Sequence, residues 1–169
     1  PEPLPLRVLF TAYPNVVHML SLRGSRIKTI DDLAGKRVAL GAQGSGTSVA
    51  ALNIITGLGL SLDDIAPRYL SFGETTTGLK DGTLDAGFVV GGLGIAAVTE
   101  LSVTRDIEII ALSDAEITRL TQRFPAYSGY EIPGKTYAGV SESRQTLGIW
   151  SAVVVHETMP EALAYALTC

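Results

Sequence analysis

The sequence predicts an α/β protein with a mostly parallel sheet covered by helices on both faces. Three observations carry the prediction. Short uninterrupted apolar runs alternate with amphipathic stretches. Glycines and capping residues punctuate nearly every junction. From residue 36 to about 124 the order reads β-α-β-α-β-α-β-α. Strands buried on both faces read as continuous apolar runs, and their alternation with helices favours parallel pairing.

Taken in order, Leu6-Arg7-Val8-Leu9-Phe10 and Val16-Val17-His18-Met19-Leu20-Ser21-Leu22 read as two strands, with Tyr13-Pro14 in a turn between them. Thr29 caps a short helical turn that Gly35 stops. Arg37-Val38-Ala39-Leu40 is a buried-strand run. Over residues 47–58, Ala51, Ile54, Ile55 and Leu58 fall at i, i+3, i+4 and i+7, so a helix is expected, ended by Gly59. Arg68-Tyr69-Leu70 reads as strand and residues 74–80 as helix, stopped by Gly82. Residues 86–90, 95–101 and 107–112 continue as strand, helix, strand. Ser113 and Glu116 have capping-box spacing and open a helix with Ile117, Leu120 and Phe124 on one face. Residues 127–144, rich in Gly, Pro, Ser and Tyr, read as loop. Residues 148–156 form a last strand, and Pro160 opens a last helix.

Composition narrows the function. The 169 residues hold 13 Lys plus Arg against 17 Asp plus Glu, a net charge of −4, which disfavours nucleic-acid binding. Hydrophobic residues are 46% and charged residues 18%, as expected of a packed globule, yet no apolar stretch is long enough to span a bilayer. The one cysteine, Cys169, excludes an internal disulfide and a cysteine-based zinc site. Histidine spacing of the metal-binding kind is absent, and no cofactor is expected.

The richest local signal is Gly41-Ala42-Gln43-Gly44-Ser45-Gly46-Thr47-Ser48, between a strand and a helix. Glycines let several N–H groups converge there, the helix start adds partial positive charge, and three hydroxyls stand by. Such a turn seats a small anion; the plainer alternative is a tight turn with Ser/Thr caps. Three sharper motifs fail. Thr47 stands where a P-loop needs lysine, Val49 where a dinucleotide fingerprint needs its third glycine, and Gln43 and Thr47 where a nucleophile elbow needs glycines. Gly91-Gly92-Leu93-Gly94 is a second strand-to-helix turn, lining a ligand or only packing closely. Both turns fall at carboxyl ends of strands, where open α/β sheets bind ligands. His18 and His156 sit in apolar runs with no ordered carboxylate, so they read as satisfied structural residues, not as bases.

Several stretches together carry a family resemblance: Tyr13-Pro14-Asn15-Val16-Val17-His18, Ile30-Asp31-Asp32-Leu33-Ala34-Gly35-Lys36-Arg37-Val38, Gly44-Ser45-Gly46-Thr47, Leu79-Lys80-Asp81-Gly82-Thr83-Leu84-Asp85-Ala86-Gly87-Phe88 and Ile132-Pro133-Gly134-Lys135-Thr136-Tyr137. In order and spacing the chain resembles the solute-binding receptors of tripartite ATP-independent periplasmic (TRAP) transporters, in the TAXI branch. The resemblance implies a type II periplasmic-binding-protein-like fold, two α/β lobes joined by crossing strands. Residues 36–144 would be the complete second lobe. Residues 1–35 would be a crossing segment and part of the first lobe, and residues 145–169 the return crossing and another part of it. Much of the first lobe would then lie outside these residues. The family often has Gly-x-Pro where this chain has Gly92-Leu93-Gly94, a departure at a position that sets the turn's rigidity.

The resemblance implies a non-enzymatic extracytoplasmic receptor working with TRAP membrane permease subunits; residues 1–5 do not supply its signal sequence. Ser45, Gly46 and Thr47 would hold the anionic group of a small carboxylate, with glutamate or glutamine foremost. Gly91 and Gly92 would line the facing turn, and Tyr13 would close over the ligand. Two rivals share the architecture: a two-lobed enzyme, which needs a nucleophile or acid–base pair at the cleft, and a ligand-sensing regulatory domain, which needs a DNA-binding helix-turn-helix.

Overall fold

The computed structural model describes residues 4–168; residues 1–3 and the lone cysteine, residue 169, lie outside them. Seven strands form one sheet: β1 (Leu6–Leu22), β2 (Arg37–Ala39), β3 (Ala66–Arg68), β4 (Ala86–Gly91), β5 (Ile107–Ile109), β6 (Ser128–Ile132) and β7 (Arg144–His156). Five α-helices accompany them: α1 (Gly46–Leu58), α2 (Phe72–Asp81), α3 (Ala96–Thr104), α4 (Asp114–Arg123) and α5 (Glu161–Thr168). The order is β3-β2-β4-β1-β7-β6, with β5 also on β1.

The α/β class holds, but the sheet is mixed instead of mostly parallel. Only β2 pairs in parallel, with β3 and β4. β1 runs antiparallel to β4, β5 and β7, and β6 antiparallel to β7. The reason is that β1 inserts into the middle of the sheet. Residues 16–21 pair with β4 on one edge, while its other edge meets β7 first and β5 last.

Side chains alternate between two cores, one on each face. Val17, Met19, Val38 and Phe88 pack with Ile54, Ile55 and Leu120 of α1 and α4. Val16, Leu20, Ala39 and Val89 pack with Leu79, Val98 and Leu101 of α2 and α3. Burial on both faces explains why these strands read as unbroken apolar runs. Ser71 and Ser113 cap α2 and α4 in the reciprocal manner, each accepting from the backbone of the glutamate three residues on while its own N–H donates to that carboxylate. Arg37 forks onto Asp85 at 2.9 and 2.8 Å, joining β2 to the turn before β4. That hydrogen bond holds the Asp85 carboxyl down at about 2.

Three local expectations are corrected. Residues 6–22 are one strand, not two, so Tyr13 and Pro14 lie within β1 and not in a turn. Pro14 has no N–H for the ladder, and the register with β7 shifts between Thr11 and Pro14 to admit it. Part of the expected 127–144 loop is β6, whose Gly, Ser and Tyr composition hid it. Gly129 and Gly148 there let β6 and β7 lie close to neighbouring side chains. Thr29 also plays a different part: its hydroxyl and N–H both donate to Asp32, which accepts the Lys28 N–H as well.

Candidate functional site

Both glycine turns follow parallel strands, the first after β2 and the second after β4. The chain leaves β2 for β3 on one side and returns to β4 on the other. The two turns therefore flank the point where strand order reverses, the crevice in which open α/β sheets hold ligands.

The first turn is shaped by Gly41. Its φ is +87°, and a Cβ there would fall 2.6 and 2.7 Å from Thr47 side-chain atoms. Thr47 thus folds its methyl onto Gly41 and is almost fully buried. Ser45 is the N-cap of α1, its hydroxyl accepting from Ser48 N–H at 3.1 Å, and its carbonyl accepts from Val49 N–H. The N–H groups of Gly46 and Thr47, in the first turn of α1, have no intrahelical acceptor.

These residues line a concavity of about 550 Å³. Its lining includes the polar Asn15, Ser45, Gly46 and Thr47, the apolar Val49, Phe72, Val90, Ile149 and Trp150, and Tyr127. Trp150 is 59% exposed. The Asn15 side-chain amide donates to Ser151 Oγ, tying β1 to β7 at the rim. The Tyr127 hydroxyl accepts from Asn53 at 3.1 Å.

The second turn is braced from beneath. Gly94 N–H donates to the Tyr137 hydroxyl oxygen at 3.0 Å. That hydroxyl lies 2.8 Å from His18 Nε2, and His18 Nδ1 lies 3.0 Å from the Val16 carbonyl. A carbonyl only accepts, so Nδ1 carries the proton, Nε2 accepts, and Tyr137 donates to it. His18 is fully buried, and desolvation lowers its pKa to about 4 against the hydrogen bonds to the Val89 and Val16 backbones. A neutral imidazole is what the chain of bonds requires. His18 is thus the satisfied core residue that its apolar run suggested. His156 is exposed and meets the Thr158 hydroxyl at 2.8 Å.

Of the sequence-predicted residues, Ser45, Gly46 and Thr47 come together in the concavity. Tyr13, Gly91 and Gly92 form a separate group beside it: the Tyr13 ring lies over Gly92, 3.9 Å from where a Cβ would stand. Sequence reasoning missed Trp150, Tyr127 and Phe72. A lone tryptophan in a strand was the available signal for the first. Among the described residues no group of three or more His, Cys, Asp or Glu is placed to hold a metal, and no helix is long and apolar enough to cross a membrane.

The α/β fold matches part of periplasmic-binding-protein-like structures. The aliphatic sulphonate binding protein SsuA from Escherichia coli superposes with a TM-score of 0.53 at 23% identity, covering 63% of this chain and 36% of that one. A periplasmic binding protein from Brucella ovis with glutathione bound gives 0.54 at 9% identity, covering 97% and 40%. The holo arginine-binding protein ArgBP from T. maritima gives 0.49 at 16%, covering 96% and 54%. The chain thus spans between about a third and just over half of the length of these structures. It belongs to the NMT1-like family, whose model matches residues 2–169.

Proposed function

We propose that the protein is an extracytoplasmic solute-binding receptor of the TAXI type, delivering a small anionic solute to TRAP membrane permease subunits. The observation that carries this reading is the pair of helix-start residues Gly46 and Thr47, whose N–H groups lack an intrahelical acceptor, in the lining of a concavity at the strand-order reversal. Residues 36–144 act as one lobe, and residues 1–35 and 145–169 as the crossing segments with parts of the other. Ser45, Gly46 and Thr47 hold the anionic head. Gly91 and Gly92 shape the neighbouring turn, and Tyr13 covers it. The solute is a small carboxylate, with glutamate and glutamine the candidates that the TAXI resemblance supplies. The protein binds and does not turn over its ligand.

Calorimetric titration of the full-length chain with small carboxylates tests this. Ser45→Ala/Thr47→Ala weakens binding by about 1–3 kcal/mol per charge-assisted hydrogen bond lost. Unchanged affinity would remove this turn from the site. Ester, amide or nucleotide turnover that disappears on changing Ser45, His18 or His156 would overturn the non-enzymatic reading.

A further inference from the structure

The anion seat is one part of the concavity's lining, and the rest of that lining bears on the rest of the ligand. Phe72, Val90, Ile149 and Trp150 line the same concavity, and among the described residues no charged side chain does. Thr47 adds an independent pointer to a ligand. It is 5% exposed and lines the concavity, its methyl is spent on Gly41, and its hydroxyl has no protein partner among the described residues. Its oxygen is not sealed inside the protein, so a ligand or water in the concavity can complete its hydrogen bonding.

On this wall a second charge has nothing to pair with. An ammonium would need a carboxylate, a second carboxylate would need a cation, and burying either unpaired is unfavourable. An apolar body gains contact along the whole wall, most of all against the indole. We propose that the site is built for an amphiphilic monoanion: one carboxylate or sulfonate head at Ser45, Gly46 and Thr47, and an aromatic or alkyl body against Trp150 and Phe72. This rests on the reading of residues 45–47 as the anion seat, and it ranks glutamate and glutamine below apolar acids of similar size.

Trp150 is the only tryptophan, so its emission reports occupancy directly. The full-length chain is titrated by calorimetry and fluorescence with 3-phenylpropionate, hexanesulfonate, acetate, glutamate and phenylalanine. The first two are expected to bind at least tenfold more tightly than the last three and to shift Trp150 emission to shorter wavelength. Comparing the first two separates carboxylate from sulfonate heads. Trp150→Ala removes the gap between 3-phenylpropionate and acetate while the thermal midpoint holds. Glutamate or phenylalanine binding as tightly as 3-phenylpropionate, still through Ser45 and Thr47, overturns the apolar body and leaves the seat standing. Binding of every acid that ignores Ser45→Ala/Thr47→Ala overturns both.

Discussion

The two glycine turns sit side by side at the ends of β2 and β4, and they differ in how their helix-start N–H groups are used. In the first, the Ser45 hydroxyl caps Ser48 N–H, while Gly46 and Thr47, which line the concavity, have no intrahelical acceptor for their N–H groups. In the second, Gly94 N–H is already spent on Tyr137, which is held in turn by His18. The comparison teaches that a Gly-rich turn after a parallel strand is not by itself a binding loop. What decides is whether its donors are consumed within the fold. The first turn keeps N–H groups without an intrahelical acceptor; the second has its Gly94 N–H bonded within the fold. That bond holds Gly94, where the TAXI pattern has proline, to a side chain 43 residues away.

The largest effect that breaks the comparison is expected at Gly41. Gly41→Ala combines a left-handed backbone with a clash against Thr47, which the helix holds in place. Together these should cost about 2–5 kcal/mol. Gly44→Ala meets only the backbone term, since nothing lies within 4 Å of its Cβ, and should cost about 1–2 kcal/mol. Urea unfolding of both variants measures the gap; equal costs would mean that Thr47 does not depend on Gly41.

Next comes the pH dependence of the braced turn. Above pH 6.5 His18 is neutral in both folded and unfolded chains. As pH falls from 6.5 towards 4 the unfolded chain takes up a proton that the buried imidazole refuses, so stability falls. The whole loss is roughly 3 kcal/mol at about 1.4 kcal/mol per pKa unit. The Asp85 carboxyl, held at about 2, contributes in a separate window, losing its stabilisation between 3.8 and 2. Unfolding free energies measured from pH 7.5 to 4 should therefore slope downward, and His18→Gln should flatten the slope. A slope that His18→Gln leaves unchanged assigns the proton uptake elsewhere.

A smaller effect is expected from Tyr137→Phe. It leaves Gly94 N–H and His18 Nε2 without their partner, at about 1–3 kcal/mol. Amide hydrogen exchange should quicken at Gly94 while the first turn keeps its rate. Equal changes in both turns would mean that they form one unit.

What the sequence revealed follows the range of the interactions. Capping boxes at Ser71 and Ser113, helix ends at Gly59 and Gly82, and the first glycine turn are settled within a few residues, so they were legible. The single strand through Tyr13 and Pro14 was not, because Pro14 ordinarily signals a turn and only pairing with β7, more than 130 residues away, keeps it extended. The antiparallel insertion of β1 leaves no mark on its composition, since burial on both faces looks the same in either direction. Half of the candidate site was legible for the same reason. Residues 45–47 form a local motif, whereas the Trp150 wall and the His18–Tyr137 bridge across 119 residues exist only in the folded chain.

The central claim is that the first turn offers its N–H groups to an anion and the second does not. Amide proton shifts of the full-length chain, followed by NMR during titration with 3-phenylpropionate, test it most directly. The account predicts saturable downfield shifts at Gly46 and Thr47, the mark of N–H groups gaining a carboxylate acceptor, with Gly94 nearly unmoved. Saturable binding in which Gly46 and Thr47 stay still would contradict it.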